Sequence, residues 1–386
     1  MSDFIYLDNS ATAFPKPDEV YDFMNKFYRE NGVSPGRSGY DMALEAEMVV
    51  TGTRKMLTKM FNGTDHERLI FSYNASEALN MVFDGLLRKG DHVVTTNLEH
   101  NSVLRPLYHK SIDGVAETTY VPFDSRGYMN PDDIKAAIKK NTRMVVINHA
   151  SNVIGTVQPI EEIGKICKEA GVIFAVDASQ SAGLIKIDMQ AMCIDVLAFT
   201  GHKCLMGPTG TGGLCVSEDL DINGTRFGGT GVRSAVKTHL TEFPYRLECG
   251  TMNIVGISGL YAGQKWINEK GMENIHMQEI TLWEKLRKGI QDIKGVTTYC
   301  ADSPENHIAV LSFNINGFEA GDVGTMLDVD YDIATRTGLH CAPLVHEQMG
   351  TKEIHGTVRF GIGPFNTEDH INKAIKAVGE IASIKN

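Results

Sequence analysis

The sequence predicts an α/β fold: a mainly parallel sheet between helices, followed by a smaller α+β C-terminal part. Three observations carry this. Near-continuous apolar runs of strand length recur through the middle of the chain, helical patterns separate them, and the texture changes after Gly256. Strands covered on both faces read as unbroken apolar runs instead of alternation. Strand, helix, strand in succession requires crossovers, and so parallel pairing. At about 150 residues per domain, a chain of 386 residues predicts two or three domains.

The predicted strands are HVVTT (92–96), MVVINHA (144–150), VIFAVDA (172–178) and VLAFT (196–200). Between them, PDDIKAAIKK (131–140) and IEEIGKICKEAG (160–171) carry apolar residues at helical spacing, the second stopping on Gly171. IFSYNASEALNMVFDGLL (70–87) reads as strand, polar turn and amphipathic helix. Beyond Gly256 a long helical stretch is interrupted at Gly271. Then come IAVLSFNI, a short helix near GDVGTMLD, YDIATRT, TVRFGIG and a terminal helix, DHINKAIKAVGEIASI.

Composition narrows the function. Lys and Arg number 37 against 48 Asp and Glu, a net charge of −11, which disfavours a nucleic-acid partner because phosphate binding needs a basic surface. No apolar run approaches the ~20 residues of a membrane helix, and MSDFIYLDNSA lacks the pattern of a signal peptide. Seven cysteines without CxxC spacing predict reduced thiols in a cytoplasmic protein, with neither disulfides nor a zinc site.

In parallel α/β sheets ligands sit beyond the C-terminal strand ends, so the residues just after each run are the candidates. Ala75 and Ser76 start a helix, where free N–H groups suit an anion, although Asn74 or Ser76 would equally serve as a plain cap. His100 follows one strand. Asp177 ends a buried one, where an acid needs a cation or hydrogen bonds. Lys203 ends the next, 26 residues later across a helix-sized excursion, before a glycine-rich turn that allows close approach of a ligand. It precedes those glycines and so does not fit a P-loop. A Schiff-base lysine, an acid for a pyridinium nitrogen and a phosphate cup together suit pyridoxal 5′-phosphate (PLP).

The motifs YLDNSAT (6–12), NASEALN (74–80), LEHNS (98–102), HASNVIGT (149–156), VDASQSAG (176–183), TGHKCLMGPTGTGGL (200–214), ECGTMN (248–253), RTGLHCAP (336–343) and VRFGIGPFNT (358–367) span nearly the whole chain. In this set the sequence resembles the class V aminotransferase group of fold-type I PLP enzymes, and within it the cysteine desulfurases and selenocysteine lyases. The resemblance implies a large PLP-binding domain over 12–256 with a seven-stranded sheet. It also implies a small domain of 1–11 and 257–386, which carries the cysteine loop and the substrate arginine.

Residue roles follow from the same resemblance. Lys203 would carry the cofactor and move the Cα proton; Asp177 would pair with the ring nitrogen and Gln180 with the ring hydroxyl. His100 would stack on the ring and donate a proton, and Asn152 would lie beside ring and substrate. Ser76, Thr200, His202 and the Ala75 backbone would bind phosphate, joined by Thr251 from a second subunit of a homodimer. Arg359 would clamp the substrate carboxylate with its bidentate fork. Cys341 would take sulfur from L-cysteine as a persulfide, release L-alanine and pass the sulfur to an acceptor protein for uses such as iron–sulfur cluster assembly. The 18 residues from Cys341 to Arg359 match the compact SufS-like type, but Gly39, Tyr40 and Leu339 stand where that type carries histidines, as in a divergent branch.

The alternatives are a selenocysteine lyase acting on L-selenocysteine, another β-elimination or amine-transfer activity, and a PLP-binding partner protein without catalysis. The other thiols fit less well: Cys204 adjoins Lys203 but should point elsewhere, and Cys167 and Cys193 lie in helix-like or apolar stretches.

Overall fold

A computed structural model of the chain describes residues 4–35, 39–300 and 302–385. Part of the SPGRSGY stretch, residues 36–38, lies outside the described residues, as do 1–3, 301 and 386 of the expected domains.

Seven strands form the central sheet: β1 (Leu69–Ser72), β2 (Asp91–Thr96), β3 (Ala116–Val121), β4 (Thr142–Asn148), β5 (Ile173–Asp177), β6 (Val196–Thr200) and β7 (Gly212–Val216). They lie in the order β1-β7-β6-β5-β4-β2-β3. β7 alone runs antiparallel to its two neighbours, so the expected mainly parallel seven-stranded sheet is present with one reversed strand. β7 is not among the strands expected from apolar runs. Its two glycines, Gly212 and Gly213, would each drive a Cβ into neighbouring backbone, 2.6 Å from Asn74 Cα and 2.1 Å from Ile70 O. The strand is glycine-rich because its neighbours crowd it.

Alternate residues of each strand face opposite cores, which is why the runs read as continuous. Val145, Ile147, Phe174, Val176, Leu197 and Phe199 pack on one side, beneath the helices Asp41–Met60 and Ile160–Ala170. Met144, Val146, Ala175, Val196 and Ala198 pack on the other, beneath Ala75–Leu86 and Asn101–Ile112. Gly171 ends its helix in the left-handed region (φ 66°), as its position predicted. The helix over 131–140 is shorter than its pattern, Pro131–Ala137, because Lys139 N–H turns to Thr142 Oγ1 at the mouth of β4. The helix-sized excursion between Asp177 and Val196 holds no helix; successive turns carry it, tied by bonds such as Ala182 N–H to Ala178 O (2.8 Å).

A second, antiparallel sheet orders Arg336–Gly338, Thr357–Gly361, Val310–Ile315 and Val296–Tyr299. Its core joins Trp283, Phe313, Phe360 and Val378 with Ile5 and Leu7 from the start of the chain, where Ile5–Tyr6 pairs with Ile333–Ala334. The helix over 254–291 breaks at Gly271 (φ 82°) into Ile254–Lys270 and Met272–Gln291. No helix among the described residues is long and apolar enough to cross a membrane.

Phe199 sits at 0% exposure on β6, immediately before Thr200 of the site. Phe199→Ala should cost about 3–5 kcal/mol through lost burial and a cavity. Urea unfolding measures this; a loss below about 1 kcal/mol would show that this end of the sheet is not held by packing.

Candidate active site

The ends of β1, β2, β4, β5 and β6 open into one cavity. Ala75, Ser76, His100, Asn152, Asp177, Gln180, Thr200, His202 and Lys203 all line it. Every expected site residue is therefore there except Thr251, Cys341 and Arg359. The cavity's polar and charged lining suits a small polar ligand.

Asp177 is 2% exposed and accepts from Ser179 N–H (2.9 Å) and the Ser179 hydroxyl, both on Oδ1. Among the described residues no hydrogen bond reaches its Oδ2. Lys203, on the turn after the neighbouring strand, is half-buried. Loss of water pulls its ammonium down to about 8, with Asp177 opposing and Arg359 reinforcing the shift. An amine so poised is a better nucleophile than a surface lysine.

The start of Ala75–Leu86 forms one wall of the cavity. Asn74 caps this helix, accepting from Glu77 N–H at 2.9 Å, so the plain-cap reading holds for Asn74. Ser76 instead points its hydroxyl to Ser102 Oγ, 2.5 Å away. The first amides of the helix, on Ala75 and Ser76, have no carbonyl a turn earlier to bond. Thr200 and His202 close the other side; His202 Nδ1 is buried without a partner. Burial, then Lys203, pull His202 down to about 4, and its carbonyl is gripped by Lys16 Nζ at 2.6 Å. Gln180 Nε2 donates to Ser10 O at 2.9 Å. Burial, then Lys203, also take His100 down to about 4.

Cys341 lies at the margin. His340 and Cys341 adopt consecutive left-handed conformations, φ 49° and 60°. Such residues cost about 1–2 kcal/mol each and need outside support. They have it: Asn152 Nδ2 donates to His340 O and Asn101 N–H to Cys341 O, each at 2.7 Å, and His340 Nε2 meets Thr357 Oγ1 at 3.0 Å. Arg336 Nη2 donates to Cys341 Sγ at 3.1 Å, and Arg336 lines the cavity. By contrast, burial pushes the Cys167, Cys204, Cys215 and Cys300 thiols up to about 12. Cys204 turns to Gln180 O, away from the position of its neighbour's amine. Cys193 is half-exposed in a left-handed turn, φ 52°.

Arg359 is behind the cavity instead of on its wall. It is 0% exposed, pairs with Asp8 Oδ1 at 2.6 Å and donates to Asn152 O at 2.9 Å. Its Nε has no partner. Thr251 is exposed and lines a different cavity, with Tyr73 and Arg226. Residues the sequence reading passed over are Arg336, Ser102, Lys16, Asp8 and Glu99. All but Lys16 lie within motifs, Arg336 in RTGLHCAP, Asp8 in YLDNSAT and Glu99 and Ser102 in LEHNS, and that is the signal in the sequence.

A model of the family described as aminotransferase class-V matches residues 5–373. The probable cysteine desulfurase of Methanothermobacter thermautotrophicus is 35% identical over 389 residues, covering 100% of this chain and 96% of its own. The cysteine desulfurase of Cronobacter sakazakii is 31% identical over 379 residues, covering 96% and 91%. Among solved structures, the apo cysteine desulfurase of Thermococcus onnurineus superposes with a TM-score of 0.92 at 33% identity, covering 98% of this chain and 95% of that one. An Escherichia coli cysteine desulfurase gives 0.88 at 25%, covering 99% and 95%.

Glu99, next to His100, is 0% exposed and is pushed up to about 8 by burial, with Thr96 and Asn148 hydrogen bonds opposing. Its folded value lies above the ordinary 4.5. The retained proton therefore favours the fold below about 4.5, and that contribution fades as pH rises through 8. Glu99→Gln should gain stability relative to the parent between pH 5 and 8.5, read from urea midpoints. A difference flat across that range would mean that Glu99 is ionised in the fold.

Proposed function

The chain belongs to the class-V aminotransferase family, and from that premise we propose that it is a PLP-dependent cysteine desulfurase. It converts L-cysteine to L-alanine and receives the sulfur on Cys341 as a persulfide. The observation that carries this reading is Arg336, which lines the Lys203–Asp177 cavity and donates to Cys341 Sγ at 3.1 Å, so that a thiol is presented at the cavity edge.

The residues fit the cofactor. The unshared Oδ2 of Asp177 suits a protonated ring nitrogen, and Gln180 suits the ring hydroxyl. The open amides of Ala75 and Ser76 supply donors for a phosphate, with Ser76, Thr200 and His202 around them. The partnerless His202 Nδ1 and Asn152 Oδ1 are buried polar atoms that a ligand would satisfy. Bound there, PLP supplies the electron sink that acidifies the substrate Cα proton and loosens the carbon–sulfur bond.

The chain's own groups do the rest. Lys203 Nζ, held near 8, anchors the cofactor and then takes and returns protons near neutral pH. His100 faces the cavity with Nε2 free of any protein partner among the described residues, placed to donate a proton. Cys341 Sγ bonds to the substrate sulfur as the carbon–sulfur bond breaks; the carbon keeps the electron pair, takes a proton and leaves as alanine. For the substrate carboxylate, Arg336 offers the cation on the open wall, while Arg359, buried behind it, holds Asp8 and Asn152 in place.

A homodimer suits the surface. Thr251 and Tyr73 share an open cavity beside the exposed Phe227, apolar area that a second copy would cover while bringing Thr251 to the neighbouring phosphate site. An acceptor protein then draws the sulfur from the half-buried Cys341. Seven free thiols suit a reducing compartment such as the cytoplasm.

Incubation with L-cysteine should yield alanine together with a persulfide mass on Cys341, and Cys341→Ala should lose both. A Cys341→Ala variant that leaves L-cysteine intact but still releases alanine from L-selenocysteine at an undiminished rate would assign selenocysteine cleavage instead, and a keto acid in place of alanine would assign amine transfer. Arg336→Ala should slow persulfide formation by about 10–100-fold, as for a misplaced reacting group, with the cofactor absorbance retained. Arg359→Ala should also lose about 3–5 kcal/mol of stability by stranding Asp8. Equal stabilities and equal rates for the two variants would refute the division of labour.

A further inference from the structure

Ser102 has no part in the functions above, yet it touches two residues that do. It is 9% exposed and lines the cavity. Its backbone N–H lies 3.0 Å from His100 Nδ1 and its hydroxyl 2.8 Å from the same atom; that hydroxyl also lies 2.5 Å from Ser76 Oγ. A backbone N–H can only donate, so Nδ1 presents a lone pair to it. The one ring hydrogen of neutral His100 is then on Nε2, facing the cavity. His100 is thus both the N-cap of Asn101–Ile112 and a ring locked in one tautomer.

We propose that Ser102 is a positioning residue: its amide fixes His100 as the Nε2–H donor, and its hydroxyl couples that ring to the anion held at Ser76. The inference rests on the reading above, in which the anion is the cofactor phosphate. The coupling follows from counting hydrogens. A phosphate brings acceptor oxygens, so the Ser76 hydroxyl donates to it and accepts from Ser102 with its remaining lone pair. With no anion, Ser76 donates to Ser102, whose hydrogen turns to His100 Nδ1. Loading therefore reverses the chain and leaves a Ser102 Oγ lone pair 2.8 Å from Nδ1.

That lone pair is what a protonated His100 requires. When the ring gains a second hydrogen, Nδ1–H repels the Ser102 amide and needs an acceptor, and the Ser102 hydroxyl is the one within reach. Of the charges facing the ring, Lys203, Arg336 and Arg105 oppose the added proton and Asp177 favours it. None of the four hydrogen-bonds to the ring among the described residues. Ser102 thus lets the proton shuttle work when the phosphate is in place.

The test is nitrogen-15 NMR of the His100 ring in the wild type, Ser102→Ala and Ser102→Thr, each titrated with acid. It is run on the PLP-loaded protein, and on the free protein with and without inorganic phosphate. The wild type should show the Nε2–H tautomer throughout, and loading should raise the proton affinity of His100 about tenfold, one pH unit in its midpoint. Ser102→Thr should keep that response and Ser102→Ala should lose it, with the acid limb of kcat/KM moving in parallel. An Nδ1–H tautomer, or an equal response in Ser102→Ala, would overturn the proposal. If PLP fails to bind, the functional reading falls, and the phosphate titration still decides for or against Ser102.

Discussion

Asp177 and Lys203 end two neighbouring parallel strands, and neither is free to hydrate: the acid is 2% exposed and the amine has lost enough water to fall to about 8. Opposite charges in such a place stabilise one another only at a fixed separation. The register of β5 against β6 fixes it, pairing Asp177 with Ala198 and so setting Lys203 just beyond the strand end. That register in turn depends on Phe174, Val176, Leu197 and Phe199 all meeting one core, since a slip by one residue would turn each to the other face.

The margin of the site is held by other means. The Cys341 turn strains two residues into the left-handed region and is gripped by Asn152, Asn101 and Thr357 from elsewhere in the chain. Asn152 also accepts from Arg359 through its carbonyl, and Arg359 is paired with Asp8. One asparagine thus joins the cavity, the thiol loop and the buried ion pair. A polar network of this kind locks a geometry when its members are satisfied, and Asn152 Oδ1 is its one buried atom at the cavity without a partner among the described residues.

Much of this was legible in the sequence. Apolar runs such as VIFAVDA and VLAFT announced buried parallel strands, and the residues after them announced the site, because polar groups beside a doubly covered sheet can emerge only at its ends. Asp177 and Lys203 stand out on that ground, whereas Ala75 and Ser76 read equally as a plain cap until the family motifs are added. β7 does not stand out, since GGLCV is glycine-rich and its tight fit is set by Ile70 and Asn74 on the β1 side and Phe199 on the β6 side. The turns of 178–195 likewise take the place of a helix whose length alone suggested it.

By itself, the sequence determined the strand ends, the charges placed there and the family motifs, because local periodicity and residue type suffice for these. Only the tertiary structure decided which groups touch. It set Arg336, on an edge strand, against Cys341 in the left-handed turn that follows, put Arg359 against Asp8 from the far end of the chain, and joined Ser76 to His100 through Ser102. Such contacts depend on distances of tenths of an ångström between segments far apart in sequence, and those distances exist only once the two sheets have packed.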